Sequence, residues 1–167
     1  MDFRNCLEPN NLTIYAANFV GGSKDTAYAI CSTVNSTITF PSPSGEQLVR
    51  WELSGSRLLN NITLNPTFET FTITRPGAYL INYNTQAAGT DSGSQLSTLF
   101  VVNGLEFFTN VFFPSGSPQS QTLTGTYPLV VTEGTPVTFA VKVKYAFGTG
   151  SGAEFRYSQI SIVKVDN

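Results

Sequence analysis

Residues Val137-Thr138-Phe139-Ala140-Val141-Lys142-Val143-Lys144-Tyr145 decide the fold. Val137, Phe139, Val141, Val143 and Tyr145 take every second position, and Thr138, Ala140, Lys142 and Lys144 fill the gaps. In extended backbone successive side chains point to opposite faces, so a period of two marks a strand with one apolar face. The same alternation recurs outward along the chain: Val49, Trp51 and Leu53; Tyr79, Ile81 and Tyr83; Ile160 and Ile162. Phe, Tyr, Val, Ile and Thr dominate these runs, as β-propensity requires. No window carries an amphipathic helical period of useful length.

Turn residues separate the runs, among them Gly21-Gly22, Pro76-Gly77, Asn103-Gly104, Glu133-Gly134 and the glycine-rich 148–152. Asn103-Gly104 is the strongest hairpin signal, because both central positions of a type I′ turn need positive φ. Strands are expected at 12–20, 27–34, 36–40, 47–53, 61–64, 68–74, 78–86, 96–102, 105–113, 122–131, 136–147 and 155–165. Many short strands with short connections and no helix make an all-β sandwich or barrel. No repeat is present, so propellers and solenoids are not expected. Residues 1–11 read as an N-terminal arm, and 12–167 as the single domain behind it.

Composition narrows the function. The chain has 167 residues, 41% of them hydrophobic, enough to bury a core without metal or disulfide staples. Only 12% are charged, against a usual ~25%. Neutral polar groups supply solubility instead: 50 residues are Ser, Thr or Asn. Nine Lys and Arg and a net charge of −2 leave no footprint for nucleic acid. No apolar run approaches the ~20 residues of a membrane-spanning helix. There is no His, which removes the commonest general base and metal ligand. Neither an enzyme nor a cofactor is expected. The N-terminus has no basic start followed by an apolar core, so no classical signal peptide is expected.

Each candidate site has a plainer alternative. Glu52 and Glu69 could meet like a glycosidase pair, but solvated outward residues explain both. Residues 148–152 look like a phosphate loop, yet β-type sequence flanks them where a helix must follow. The aromatic run Phe107-Phe108 and Phe112-Phe113 puts rings on both faces of one strand, which points to a subunit interface, an ordinary core or a stacking platform. Cys31 reads as a buried thiol. Cys6, in the arm, is better placed to link one subunit to another, and in a reducing setting both stay free. Sequons begin at Asn11, Asn35 and Asn61, as chance allows in a chain this rich in Asn, Ser and Thr.

Phe71-Thr72-Ile73-Thr74-Arg75-Pro76-Gly77-Ala78-Tyr79-Leu80-Ile81-Asn82-Tyr83 resembles the strand, Pro-Gly turn and Tyr-rich strand of the tumour necrosis factor and complement globular-head superfamily. Ile14-Tyr15-Ala16-Ala17-Asn18 resembles its opening strand, Val101-Val102-Asn103-Gly104 its hairpin, Leu129 to Val137 its glycine turn (with Thr135 in place of the usual acid), and Ser158 to Val165 its closing strand. Within that superfamily the chain is closest to the C-terminal heads of collagen-like glycoproteins on Bacillus and Clostridium spore surfaces. It departs from them in that these residues contain no Gly-X-Y tract, so no collagen stalk is expected from them.

The resemblance implies a two-sheet jelly roll, a homotrimer, no catalytic activity and a place on a spore surface, in the exosporium or an appendage. Partners would be further copies of the chain and other spore surface proteins. Candidates for the trimer axis are Tyr79, Ile81, Tyr83, Phe139, Val141 and Val143, or their opposite-face neighbours, since alternation does not say which face turns inward. Phe3, Cys6 and Leu7 are the candidates for an arm that docks on a neighbouring subunit. Head-to-tail docking of that kind builds a filament, because a heterologous contact need not close. A receptor- or carbohydrate-binding fibre head, on a phage, a virus or a spore tip, is the alternative role.

Overall fold

A computed structural model describes residues 27–33, 37–40, 44–51, 57–89, 92–115, 119–147 and 153–165. They form twelve strands: β1 (Tyr28–Ser32), β2 (Ile38–Phe40), β3 (Gly45–Leu48), β4 (Arg57–Asn60), β5 (Ile62–Leu64), β6 (Thr70–Ile73), β7 (Gly77–Gly89), β8 (Gln95–Val102), β9 (Leu105–Phe112), β10 (Gln119–Val131), β11 (Val137–Ala146) and β12 (Ala153–Lys164). The expected strand at 12–20, the arm at 1–11 and the opening-strand match at Ile14 to Asn18 lie outside the described residues. β4 is a strand the alternation missed. Its partner β1 covers only one edge of it, and four residues are too few to show a period.

The strands make two antiparallel sheets. In the first the order is β10-β7-β12-β1-β4, with β2 also on β12; in the second it is β5-β6-β11-β8-β9, with β3 also on β11. β7 lies beside β10 and β12 rather than beside its chain neighbours β6 and β8. That crossing between two facing sheets is the jelly roll expected from the sequence.

The core lies between the sheets. Tyr79, Ile81, Tyr83, Leu123, Ile160 and Ile162 point into it from the first sheet, and Phe71, Ile73, Phe100, Phe139, Val141, Val143 and Tyr145 from the second. Phe100 sits at its centre, with ring centroids 5.1 Å from Phe139, 5.9 Å from Tyr127 and 6.4 Å from Tyr83. Trp51 lies edge-on to Tyr83 at 6.1 Å. Such tilted and edge-on pairs add about 0.5–1.5 kcal/mol each beyond buried area.

Local chemistry fixes the ends of the strands. Asn103 and Gly104 have φ of 48° and 82°, and Val102 pairs with Leu105 across them, so the turn is the expected type I′. Asn103 also ties this hairpin to β11: its Oδ1 accepts from the Thr138 N–H at 2.8 Å, and its own N–H donates to the Thr138 carbonyl at 3.0 Å. Asn103→Ala should therefore lose roughly 2 kcal/mol, about half from forcing alanine to positive φ and half from the lost bond. A urea unfolding curve shifted without a change in slope checks this. At the other corner, Tyr79 Oη donates to the Arg75 carbonyl at 2.8 Å, clamping the Pro76-Gly77 turn at the start of β7.

Candidate assembly face

The two sheets present opposite kinds of outer face. On the second sheet, Lys142 of β11 reaches Glu46 of β3 at 3.0 Å and also pairs with Glu106 of β9; Lys144 lies 3.9 Å from Glu46. The hydrogen bond from Lys142 holds the Glu106 carboxyl below the usual range, and the bond to Glu106 raises the Lys142 ammonium. These charges sit in solvent, so Lys142→Met should cost about 1 kcal/mol or less in urea unfolding. It should also leave the oligomeric mass unchanged.

The outer face of the first sheet is neutral over its middle rows. Register places its outward side chains in rows across β10, β7, β12 and β1. One row is Pro128, Leu80, Val163 and Tyr28; the next is Thr126, Asn82, Ser161 and Ile30; the third is Thr124, Asn84, Gln159 and Ser32. Val130, Ala78 and Val165 extend the apolar end, with Val130 70% exposed. Thr126 donates to Asn82 Oδ1 at 2.9 Å, one rung of a neutral polar ladder. The outward ionic side chains of β12 are Arg156 and Glu154, which pair with each other just beyond Tyr157, and Lys164 ends the strand beside Val163.

The middle of that face is interrupted. β12 shifts register against β7 between Arg156 and Gln159. Tyr157 lies in this bulge with φ of 52° and is 54% exposed. Ser158 beside it is buried: its N–H donates to Thr33 Oγ1 at 3.1 Å, and its hydroxyl donates to Thr85 Oγ1 at 2.9 Å. Thr85 in turn donates to the Arg156 carbonyl at 3.0 Å. The Tyr83 phenol borders this network, and burial pushes it up to about 12 against the opposing hydrogen bonds from Ser158 and Thr85.

The six sequence candidates for a trimer axis, Tyr79, Ile81, Tyr83, Phe139, Val141 and Val143, all point the other way. None is more than 2% exposed in a single chain, because the two sheets bury them against each other. Their opposite-face neighbours Leu80, Asn82 and Asn84 form the outward face of the same strand. Sequence alternation passed over Tyr157, although it carries a signal. Phe155 points inward at an odd position, whereas Ser158, Ile160 and Ile162 do so at even ones. A strand changes phase in that way only by inserting a residue.

The other candidates are quickly placed. Phe3, Cys6, Leu7, Glu52 and residues 148–152 lie outside the described residues. Glu69 belongs to the β5–β6 turn, where it accepts from Thr67 Oγ1 at 2.9 Å. Cys31 is buried and forms no disulfide with another described residue. Among the described residues no three His, Cys, Asp or Glu side chains come together as metal ligands. The β9 aromatics divide: Phe112 is buried, Phe107 packs on Tyr127 at 5.5 Å, and Phe108 is 59% exposed.

No family model matches the sequence, and no curated protein matches it. Solved structures do match the fold. Murine APRIL at pH 5.0 superposes with a TM-score of 0.54 at 9% identity, over 83% of this chain and 99% of that one. The globular domain of zebrafish complement 1qA protein gives 0.53 at 14% identity, over 87% of this chain and 99% of the other. Murine APRIL at pH 8.0 gives 0.52 at 12% identity, over 84% and 99%. The fold is thus the jelly roll shared by tumour necrosis factor-like proteins and complement heads.

Proposed function

We propose that the chain is a non-catalytic structural module that associates with two further copies of itself through the outer face of β10, β7, β12 and β1. The observation that carries this reading is the run of neutral rows across β10, β7, β12 and β1. Identical copies carry identical charges, so a surface that meets itself around an axis is best neutral. Among the described residues the linked ion pairs of Lys142 and Lys144 lie on the opposite sheet, and this face carries one pair, Arg156 with Glu154, beside its neutral rows. Its apolar end, from Val130 to Tyr28, supplies the burial that drives association.

The setting we propose is a bacterial spore surface layer or appendage. Support comes from the resemblance of the sequence blocks to spore-surface heads, and from the same richness in Thr, Ser and Asn. The arm at 1–11, with Phe3, Cys6 and Leu7, would dock on a neighbouring subunit or the basal layer. Light-scattering mass of the purified chain tests the assembly: three chains' mass is expected, and a monodisperse monomer overturns it. Negative-stain electron microscopy with and without reductant tests the arm. Filaments that survive deletion of residues 2–11 would remove it from the scheme.

A receptor- or carbohydrate-binding head is the second reading. It is favoured by Phe113 and Phe147, 60% and 74% exposed at the same end of the sandwich, beyond the last residues of β9 and β11. A glycan-array signal lost in Phe147→Ser would favour it over a purely structural role.

A further inference from the structure

We infer that Tyr157 is the anchor of self-association, held out from the outer face of the first sheet by its bulge and inserted into a second copy of the chain. This deepens the proposed function and rests on it. Three observations lead to the inference.

First, the residue is strained. A bulky L side chain rarely adopts φ of 52°, and glycine or asparagine would hold a bulge with less cost. Second, the fold draws nothing visible from the ring. Among the described residues Tyr157 has no hydrogen bond, ion pair or ring contact, and it is 54% exposed. Strain that brings no contact within the chain points to a function outside it.

Third, the position is rigid and central. Ser158 is fastened to Thr33 at the end of β1 by three backbone and side-chain bonds, including Thr33 N–H to the Ser158 carbonyl at 2.8 Å. It is fastened to β7 through Thr85. The backbone at Tyr157, the residue just before it, therefore has little freedom left. β12 is the middle strand of its sheet; neutral Asn84 and Gln159 flank the bulge on one side, and Gln86 with Arg156, which pairs with Glu154, on the other. A pre-positioned, half-exposed tyrosine in a middle strand is a usual component of an interface hot spot, because little rotamer freedom remains to be lost on binding. The occupant is a second copy because the rows beside the bulge are neutral and Arg156 is balanced by Glu154, so a copy of this surface brings little unpaired like charge against it.

Sedimentation of the wild type, Tyr157→Phe and Tyr157→Gly across a dilution series tests this. Tyr157→Gly should weaken association at least tenfold, while Tyr157→Phe stays within a few-fold of wild type. The same glycine substitution placed in Ser161→Lys, which the proposed interface makes monomeric, should raise the melting temperature by about 2–4 °C as the strain is released. Weaker assembly together with a more stable fold is the signature of a residue kept for contact. A trimeric wild type whose dissociation is unchanged by Tyr157→Gly overturns the inference and leaves the self-association reading standing. So does a fall in melting temperature, which would assign Tyr157 to the fold. A monomeric wild type overturns both, and so does a double variant that stays trimeric.

Discussion

Ser161→Lys is expected to reduce the assembly to monomers while leaving each chain folded. Ser161 is half-buried in the middle strand of the neutral sheet, between Asn82 of β7 and Ile30 of β1, and its side chain points away from the core. In one chain a lysine there can run its stem along Ile30 and keep its ammonium in water. In a three-fold assembly three ammonium groups would be brought onto one desolvated surface. Like charges so placed cost several kcal/mol, against ~1.4 kcal/mol for each factor of ten in affinity. Light scattering should give one chain's mass, and circular dichroism an unchanged β spectrum. Unchanged mass would place the contact on another face. Lys142→Met, on the ion-paired sheet, is the matching control.

Phe100→Ala should be the most damaging single change to the fold, at about 3–5 kcal/mol. That is a large share of the ~5–15 kcal/mol by which a typical domain is stable. The ring is 1% exposed and touches aromatic partners from both sheets, so its loss opens a cavity that neither sheet can close alone. It also seats β10. A Cβ built at Gly125 would lie 2.9 Å from Phe100 Cζ and 3.0 Å from Thr109 Cβ, so β10 rests directly on the ring tip and on β9. Gly125→Ala should accordingly cost about 1–3 kcal/mol by overpacking. Combined with Phe100→Leu it should cost less than the sum of the two, because the smaller side chain makes room. Urea unfolding of the two singles and the double gives the coupling. Strict additivity would mean that β10 does not lean on Phe100.

The comparison of sequence with structure is uneven, and the unevenness has physical causes. β7 to β12 were legible because they are long: a 13-residue strand such as β7 shows its alternation many times over. β4 was not, with four residues. The Asn103-Gly104 turn was legible because positive φ has few chemical solutions. Val49 and Trp51 alternate as a strand would and are buried, but β3 ends at Leu48. Beyond it the backbone bonds to β11 and then to the Phe68 carbonyl without forming a ladder.

By itself the sequence determined an all-β chain, the places where it turns and the pairs of side-chain sets that each strand offers. Those properties are local, since they follow from φ preferences and from the period of two. Only the tertiary structure decided which set of each pair faces the core. In β7 one set is Tyr79, Ile81 and Tyr83 and the other begins with Leu80; in β12 one set is Ile160 and Ile162 and the other includes Tyr157 and Val163. Both sets hold apolar groups, so hydrophobicity alone leaves the choice open. The second sheet makes it, by offering Phe100, Phe139 and Val141 on one side and nothing on the other. The neutral surface is what remains once that packing is complete, and for that reason it could not be read from any strand alone.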